Sequence, residues 1–514
     1  MYITDMELIN AKVSAMGAMN ISDVIRRIIE EDEGSPEKLA MKRGENYYNA
    51  KHDSLLKQYN EAEISETESV DGREVERTRL FKNPNRSNHH NINPFHRTLV
   101  EQKVSYMVGR EPTISVLGAE KGENRNFEEM LREKADEEFN ETIQDWVRGA
   151  SNKGQEALHF YYDEEGNLKY AIVPAGELIA VYDSAYQREL EQVIRYYAVK
   201  VIKNGREYWR RKVEWWTKND VTYYVEKEKD LFVLDGGRGV NPMPHWWDIS
   251  LKNGLEKKRT PHSWGRVPFI FLENNRYRTS DLENIKSLID AYDYISSEGV
   301  NNFIDLVDLY WVIQGYGGET AGAIAKKLRI NRAVSVLDSS GKVEAKQVSL
   351  PVSERIEFLK MLRRDIYRFG MGVNMDMEDE RFGASPSGVA LKFRYAGLRQ
   401  KCENMAPRLK KAIKEFFWFV AEDFNRKNGT NYDPSIIRVG INYSQIANDT
   451  ETVDIIVKSK GIVSRRTLLE AHPFVADANE EERRLEEEMN ADEKSGLFEK
   501  TAGGEVGKKD GLEA

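Results

Sequence analysis

FGMGVNMDMEDERFGASP, residues 369–386, is the stretch around which the rest of the chain is organised. Helical patterns lie on both sides of it, at residues 351–369 and from residue 386 to about residue 426. Gly370 and Gly372 break the first pattern, and a Ser-Pro pair opens the second, because proline's fixed φ suits the first position of a helix. We therefore expect a polar loop between two helices, with the two glycines acting as hinges.

Another long helix is predicted upstream of this pair. Ser280 and Glu283 have the spacing of a capping box, and an apolar stripe follows from Leu282 to Val307. About 28 residues at about 1.5 Å each span roughly 40 Å, which is typical of a stem rather than of a compact core. Residues 309–350 then predict a small α/β insertion, with a strand, a glycine turn, a short helix and a strand pair around residues 338–341.

The N-terminal part of the chain predicts helices separated by loops. Helix starts are expected at Ser22, at Ser35-Pro36 and at Asn93-Pro94, with Gly109 ending the third helix, and a further helix at Phe127–Val147. Residues 60–75 are charged without a clear period and are predicted to be an exposed linker.

Alternating β-branched and aromatic residues then predict an antiparallel meander with one buried face. Its strands are expected at 157–173, around a turn at Gly166, and at 178–182, 191–202, 206–217 and 221–227. Residues 238–266, with three prolines, are predicted as loop and 267–273 as a short buried strand. Pro407 is expected to kink the helix after residue 386, and a strand at 438–443 and helices near 450–459 and 464–489 follow.

Composition limits the classes of function. The 514 residues carry a formal net charge of −10, which argues against a general nucleic-acid-binding protein. The one cysteine, Cys402, has no internal disulfide partner and favours a reducing compartment. The N-terminus lacks the pattern of a secretory signal, and no stretch approaches the roughly 20 apolar residues of a membrane span. We expect a soluble protein without a membrane partner.

Candidate chemical sites are weak. Asp376, Glu378 and Asp379 form the one tight carboxylate cluster in a loop, but no phosphate loop accompanies them, since residues 315–322 lack the Lys-Ser/Thr that such a loop requires. Histidines and arginines at Arg86, His89, His90 and Arg97 lack a metal-ligand spacing and are predicted to be solvated. We predict no catalytic residue, metal or cofactor.

Four stretches together have a family likeness. They are NPFHRTLVEQKVSYMVGREP (93–112), SDLENIKSLIDAYDYISSEGVNNFIDL (280–306), VIQGYGG (312–318), and DIYRFGMGV followed by GASPSGVALKF (365–373, 383–393). In this order and spacing, the chain resembles the SPP1-type portal proteins of tailed bacteriophages from about Tyr47 to Ala478.

The resemblance implies an α+β portal fold with long stem helices, an α/β clip, a mixed wing with an antiparallel meander and a helical crown. The implied domains are a wing at 1–279, a stem helix at 280–308, the clip at 309–350, a second stem helix at 351–372, a tunnel loop at 373–386, a long kinked helix and wing return at 387–449, a crown at 450–490 and a flexible tail at 491–514.

The resemblance also implies a function without chemistry. A ring of twelve subunits at one capsid vertex of the virion, assembled in the host cytoplasm, would be the channel for packaging and ejecting double-stranded DNA. It would serve as the head-tail connector on which the terminase large subunit and the head-completion (adaptor) proteins dock, and its wing would contact scaffolding and major capsid proteins.

The implied site residues fall into three groups. The tunnel loop contains Val373, Asn374, Met375, Asp376, Met377, Glu378, Asp379, Glu380, Arg381 and Phe382; charges for DNA or for subunit contacts are Lys392 and Arg394; docking residues of the clip are Tyr316, Gly317, Gly318, Lys326, Lys327, Arg329 and Lys342. The acidic loop is expected to repel phosphates and hold DNA loosely. The alternatives are a nucleic-acid-processing enzyme, either a nuclease or an ATPase, and a capsid structural protein that forms no ring.

Overall fold

The computed structural model describes residues 9, 21–55, 61–70, 73–82, 87–119, 122–183, 189–203, 205–252, 255–305, 310–314, 342–346, 352–374, 388–444, 449–475, 478 and 481–488. Within the predicted regions, residues 315–341, 375–387 and 489–514 lie outside this description. The chain divides into two compact units, Met1–Met375 with Gly397–Ser444 and Asp376–Ala396 with Gln445–Ala514. Helices and antiparallel sheets occur in separate runs along the chain, which fits the predicted α+β class.

The helices of the described residues include α1 (Ile21–Glu33), α2 (Pro36–Tyr48), α3 (Phe95–Val108), α4 (Glu123–Lys134), α5 (Glu137–Lys153), α6 (Lys286–Asp305), α7 (Val352–Phe369), α8 (Gly388–Asn428), α9 (Asp449–Ser459) and α10 (Arg465–Glu470), and residues 481–488 are also helical. Ser35 caps α2 as predicted, since its side chain accepts a hydrogen bond from Lys38 N at 3.2 Å. The single helix predicted at Phe127–Val147 is instead two, because Asp136 accepts a hydrogen bond from Phe139 N and starts α5.

The strands are β1 (Glu61–Val70), β2 (Arg73–Lys82), β3 (Thr113–Val116), β4 (Gln155–Tyr162), β5 (Leu168–Val173), β6 (Leu178–Tyr182), β7 (Leu190–Lys203), β8 (Arg206–Trp216), β9 (Asp220–Glu228), β10 (Leu231–Leu234), β11 (Met243–Pro244), β12 (Trp246–Lys252), β13 (Leu255–His262), β14 (Phe269–Glu273), β15 (Tyr310–Gln314), β16 (Lys342–Lys346) and β17 (Ile437–Gly440). The predicted antiparallel meander is confirmed for β6 to β9, which form one sheet with β10 in the order β10-β9-β8-β7-β6. The strands predicted at 157–173 do not belong to it, because β4 pairs with β5 and β14 in a second sheet.

Two predicted irregular regions are strand pairs instead. The expected linker at 60–75 is a hairpin of β1 and β2, and the expected loop at 238–266 contains the hairpin of β12 and β13. In sequence, Asp71-Gly72 and Asn253-Gly254 separate these strands, and such pairs favour two-residue hairpin turns. The charge of the first region and the prolines of the second led to the predictions of a linker and a loop. Pro261 in β13 is tolerated because a two-stranded sheet consists of edge strands.

Helix α1 covers the meander with its apolar face. Val24, Ile25, Ile28 and Ile29 pack with Ile179, Val181, Ile194, Val213 and Phe232 in one buried cluster. Ser22 lies inside α1 rather than at the predicted cap position. Its Oγ accepts a hydrogen bond from Phe232 N at 2.7 Å and donates one to Asp230 O at 3.3 Å, so it joins the helix to β10.

The base of α6 also differs from the prediction. The capping box at Ser280 does not form, because α6 begins at Lys286 and Ser280 Oγ accepts a hydrogen bond from Leu282 N and donates one to Ser151 O. Asn93 does not cap α3 either. Its backbone N and its Nδ2 donate to Asp293 Oδ1 of α6 at 3.0 and 2.9 Å. Both residues stabilise contacts between distant parts of the chain instead.

Gly109 follows the last residue of α3, but its φ is −72°, so the left-handed conformation expected of it is absent. A Cβ at this position would lie 2.2 Å from Ser105 O and 2.9 Å from Ser444 Oγ. Close packing therefore explains the glycine. The helix α8 continues through Pro407.

Candidate functional site at the base of the loop

The site is the base of the 369–386 loop, where α7 ends against α3. Gly370 N and Gly372 N donate to the carbonyl oxygens of Ile366 and Tyr367 at 2.8 and 2.9 Å. A Cβ on Gly370 or Gly372 would lie 2.7 or 2.0 Å from a methyl carbon of Leu99. These glycines therefore allow the backbone to approach α3 closely, a role different from the hinges predicted from the sequence. The positive φ of this turn, 55°, belongs to Met371.

A side chain of α3 clamps the next residue of the loop. Gln102 Nε2 donates to Val373 O at 2.7 Å, and Gln102 Oε1 accepts from Val373 N at 2.9 Å. The side-chain amide thus pairs with both backbone groups of Val373 as a neighbouring strand would. Val373 is buried. The start of the loop is therefore fixed to α3 as far as Val373.

Helix α8 holds the same turn from a second direction. Lys401 Nζ donates to Gly370 O at 3.0 Å and lies 3.0 Å from Asp281 Oδ2. Lys103 Nζ of α3 lies 3.1 Å from the same carboxylate oxygen and also donates to Asn274 Oδ1. The amide of Asn274 in turn donates to Asp281 Oδ1 at 2.8 Å. One carboxylate therefore joins α3, α8 and the segment that leads into α6.

This cluster contains two ammonium groups and one carboxylate. Burial raises the pKa of Asp281, but Lys103, Lys401 and the hydrogen bond from Asn274 lower it more, so that its pKa lies well below the usual range. Burial lowers the pKa of Lys103, and the attraction of Asp281 opposes this only in part. Because Asp281 stays ionised, it is the counter-charge on which both lysines depend.

Two neutral groups lie next to this cluster. Burial raises the pKa of the Cys402 thiol to about 12, so the thiolate form is suppressed at neutral pH. Burial also lowers the pKa of His96 to about 4, opposed by the nearby charge of Asp281. Both groups are fully buried and uncharged near pH 7. The electrostatics of the loop base therefore come from Asp281 and the two lysines.

The structure describes part of the predicted site. Val373 and Asn374 lie at the loop base, whereas the other tunnel-loop residues, Met375 to Phe382, lie outside the described residues. So do the predicted clip residues Tyr316, Gly317, Gly318, Lys326, Lys327 and Arg329; Lys342 begins β16, opposite Gln314 of β15. Lys392 is exposed and Arg394 half-buried in the first turns of α8, which belong to the second unit.

Sequence reasoning missed Gln102, Asp281 and Lys401. One signal was available: Lys103 stands in the otherwise apolar stripe of α3 and is 1 % exposed. A buried lysine requires an acidic or polar partner, which predicts such a partner without identifying it.

In the part of the chain that the structure describes, no three or more His, Cys, Asp or Glu side chains are arranged to hold a metal ion. Within the same residues, no helix has both the length and the apolar composition to cross a membrane.

Comparison with known proteins places the whole arrangement in a family. The family model described as "Phage portal protein, SPP1 Gp6-like" matches residues 31–495, which include every residue of the loop base. The chain is 31 % identical over 471 residues to the portal protein of Bacillus phage SPP1, covering 91 % of this chain and 86 % of that protein. It is 29 % identical over 416 residues to the portal protein of Clostridium phage phiCD119, with 77 % and 83 % covered. The chain therefore belongs to the SPP1 Gp6-like family of phage portal proteins.

Proposed function

We propose that twelve copies of this chain form the portal ring at one capsid vertex, on which the terminase large subunit and the head-completion proteins dock. The portal role itself follows from the family: a structural, oligomeric component of the virion that provides the channel for DNA packaging. The twelvefold number, the individual partners, the division into domains and assembly in the host cytoplasm are the proposed part.

The observation that best supports a ring is a pair of helices whose apolar side chains are only partly buried. Helices α6 and α7 run antiparallel, because Ile366 shares a buried cluster with Ile285 and Ile289, while Arg355 lies against Gly299. The pair nevertheless exposes large apolar side chains. They are Tyr294, Phe303 and Ile304 on α6, and Val352, Ile356, Phe358, Met361 and Phe369 on α7.

The exposed apolar residues of α7 fall on two sides of its buried stripe. At about 100° per residue, Val352 and Ile356 lie on one side of the stripe marked by Leu362 and Ile366. Phe358 and Phe369 lie on the other. Two different apolar flanks suit a heterologous contact, in which each copy uses one flank against the next. Such contacts generate a ring when the rotation between successive copies closes.

One of these flanks contains a groove. It has a volume of about 370 Å³ and is lined by Tyr294, Ile295, Glu298, Glu354, Arg355 and Phe358. We place the Val352–Ile356 flank of the neighbouring copy against this groove. Burying two or three such side chains in each contact contributes about 1.5–3 kcal/mol per side chain.

The proposed domains follow the same elements. Helices α6 and α7 are the stem, and residues 309–350 are the clip, whose ends are brought together by the antiparallel pair β15–β16. Residues 373–386 are the tunnel loop and 450–490 the crown. The elements before residue 280 and the return through residue 449 form the wing, which is the proposed contact for scaffolding and major capsid proteins.

Native mass spectrometry with negative-stain microscopy tests this function. Twelve chains of 59.3 kDa (12 × 59.3) give a closed ring of about 712 kDa with a central channel. Phe358→Glu is expected to prevent closure, because it places a charge in the groove. Tyr277→Glu, which alters an aromatic side chain that is 67 % exposed in a turn, is the matched control and keeps rings intact. A monomeric wild-type chain, or rings unaffected by Phe358→Glu, contradicts the proposal.

A further inference from the structure

Three cations form a row on α7. Lys360, Arg364 and Arg368 are spaced four residues apart, so they lie on one side of the helix, and all three are exposed. They point away from the stripe of Leu362 and Ile366, which is buried. Over eight residues the row spans about 12 Å of helix.

Two acidic residues of α7 lie close to this row. Glu357 stands one turn before it and is exposed. Arg364 Nε lies 3.4 Å from Asp365 Oδ1, but the arginine side chain is 69 % exposed, and ion pairs in such solvated positions are weak. The row therefore contributes three positive charges to a surface of a chain whose net charge is −10.

Residues 89–93 cover the side of α6 that faces away from α7. Asn93 N, Asn91 N and His89 N donate to Asp293 Oδ1, Ser297 Oγ and Asn301 Oδ1 at 3.0, 2.9 and 2.7 Å. Asp293, Ser297 and Asn301 are buried at four-residue spacing, on the opposite side of α6 from Ile295 and Gly299, which face α7.

The order across the stem is therefore residues 89–93, then α6, then α7, then the cation row. This order decides which helix faces the channel of the ring. Both flanks of α7 expose apolar side chains that suit neighbouring copies, whereas the side opposite α6 presents three cations and one carboxylate, Glu357. A duplex inside the channel carries one negative charge per about 1.7 Å of its helix axis. The charge complementarity places the cation row on the channel side and residues 89–93 on the outer side.

We infer that Lys360, Arg364 and Arg368 form three rings of positive charge in the assembled portal and contact the phosphates of the DNA duplex inside it. The inference rests on the proposed ring and adds a binding surface to it. Because phosphates are the partners, the contact is independent of base sequence and sensitive to salt. The rings lie about 6 Å apart along the helix.

Site-directed cross-linking tests the position of the row. Cys402, the one native thiol, is fully buried, so Arg364→Cys supplies one accessible thiol for a benzophenone maleimide. Irradiation of particles arrested during packaging is expected to join this position to DNA. Lys410→Cys, at an exposed position of α8, is the control and gives no DNA adduct. Cross-links from position 364 to another portal chain alone overturn the inference, because the row would then be a subunit contact.

A second measurement tests the charges themselves. The triple variant Lys360→Gln, Arg364→Gln, Arg368→Gln is compared with Arg399→Gln, Lys410→Gln, Lys411→Gln, which removes three exposed cations from α8. For rings binding a short duplex, the slope of log Kd against log salt is expected to fall by at least about 1 in the first variant and to stay constant in the second. An unchanged slope in intact rings overturns the inference, whereas a failure of the wild type to form rings overturns the proposed function instead.

Discussion

Replacing Asp281 with asparagine tests the physical basis of the loop base most directly. Asp281→Asn keeps the shape of the side chain but removes the counter-charge of Lys103 and Lys401, whose Nζ atoms lie 3.1 and 3.0 Å from Asp281 Oδ2. At these distances and an effective dielectric constant of about 20, each pair has a gross attraction of about 5 kcal/mol. Desolvation offsets much of that attraction.

The loss in free energy of unfolding for Asp281→Asn is smaller than the gross attraction for a second reason. Lys103 already has a lowered pKa, so a lysine left without its partner can release its proton, which limits the cost. Removing one partner of a buried pair typically costs about 3–5 kcal/mol. At the lower end of about 2 °C per kcal/mol for large domains, we expect Tm to fall by about 6–10 °C.

Differential scanning calorimetry of wild-type and variant rings at pH 7 and one protein concentration measures this shift. Glu129→Gln is the control, because its ion pair with Arg125 is solvated, with side chains 58 % and 68 % exposed, and its loss costs below about 1 kcal/mol. Adding Lys103→Met to Asp281→Asn is expected to restore part of the lost stability by removing the unpaired charge. If Asp281→Asn lowers Tm by less than about 2 °C, the assignment of Asp281 as the required counter-charge is refuted.

Three further predictions concern the loop base and the sheet. Gly372→Ala lowers Tm by several degrees, since its Cβ would lie 2.0 Å from Leu99 Cδ2, and the loss is non-additive with that of Leu99→Ala in a double-mutant cycle; additive losses would contradict the contact. Gln102→Leu raises the hydrogen-exchange rate of the Val373 amide about tenfold, corresponding to about 1.4 kcal/mol, and an unchanged rate would show that the clamp is unimportant. Burial lowers the pKa of His159 to about 3, so the unfolded chain, with a pKa of about 6.5, takes up the proton first and stability falls as pH drops below about 6.5. Between pH 7 and pH 5, we expect the free energy of unfolding of His159→Phe, measured by urea titration, to fall by about 2 kcal/mol less than that of the wild type. Equal losses in the two proteins would contradict a contribution from His159.

The meander was predictable because its evidence is local. Alternation along β6 to β9 fixes which side chains face the core, and each strand pairs with the next one in the chain. The hairpins β1–β2 and β12–β13 were equally local, with Asp-Gly and Asn-Gly between their strands. Weighting charge and proline content above these turn pairs produced the wrong predictions of a linker and a loop.

The start of α6 illustrates a different limit. Ser280 and Glu283 satisfy the capping-box pattern, but Ser280 Oγ bonds to Ser151 O, in a segment 129 residues earlier. The Ser280 oxygen accepts from Leu282 N, and Glu283 N donates to the Ser280 carbonyl rather than to its hydroxyl. The local pattern therefore failed to predict both the acceptor of the Glu283 N–H and the distant partner of the hydroxyl.

The loop base was only partly predictable for the same reason. The pattern of glycines and polar residues located Val373 and Asn374 correctly at the end of a helix. Gln102 and Val373, however, are 271 residues apart, and Lys103 and Asp281 are 178 apart. Partners at such separations are chosen by packing in the folded chain, which the periodicity of a single sequence does not encode.

The union of α1 with β10 has a consequence for the synthesis of the chain. Ser22 bonds to Asp230 O and Phe232 N, 208 and 210 residues later. At about 5–20 residues per second, a ribosome needs on the order of 10–40 s to make the residues in between. During that time the apolar face of α1, with Val24, Ile25, Ile28 and Ile29, has emerged without its sheet. We therefore expect a nascent portal chain to expose this apolar face to chaperones during that interval.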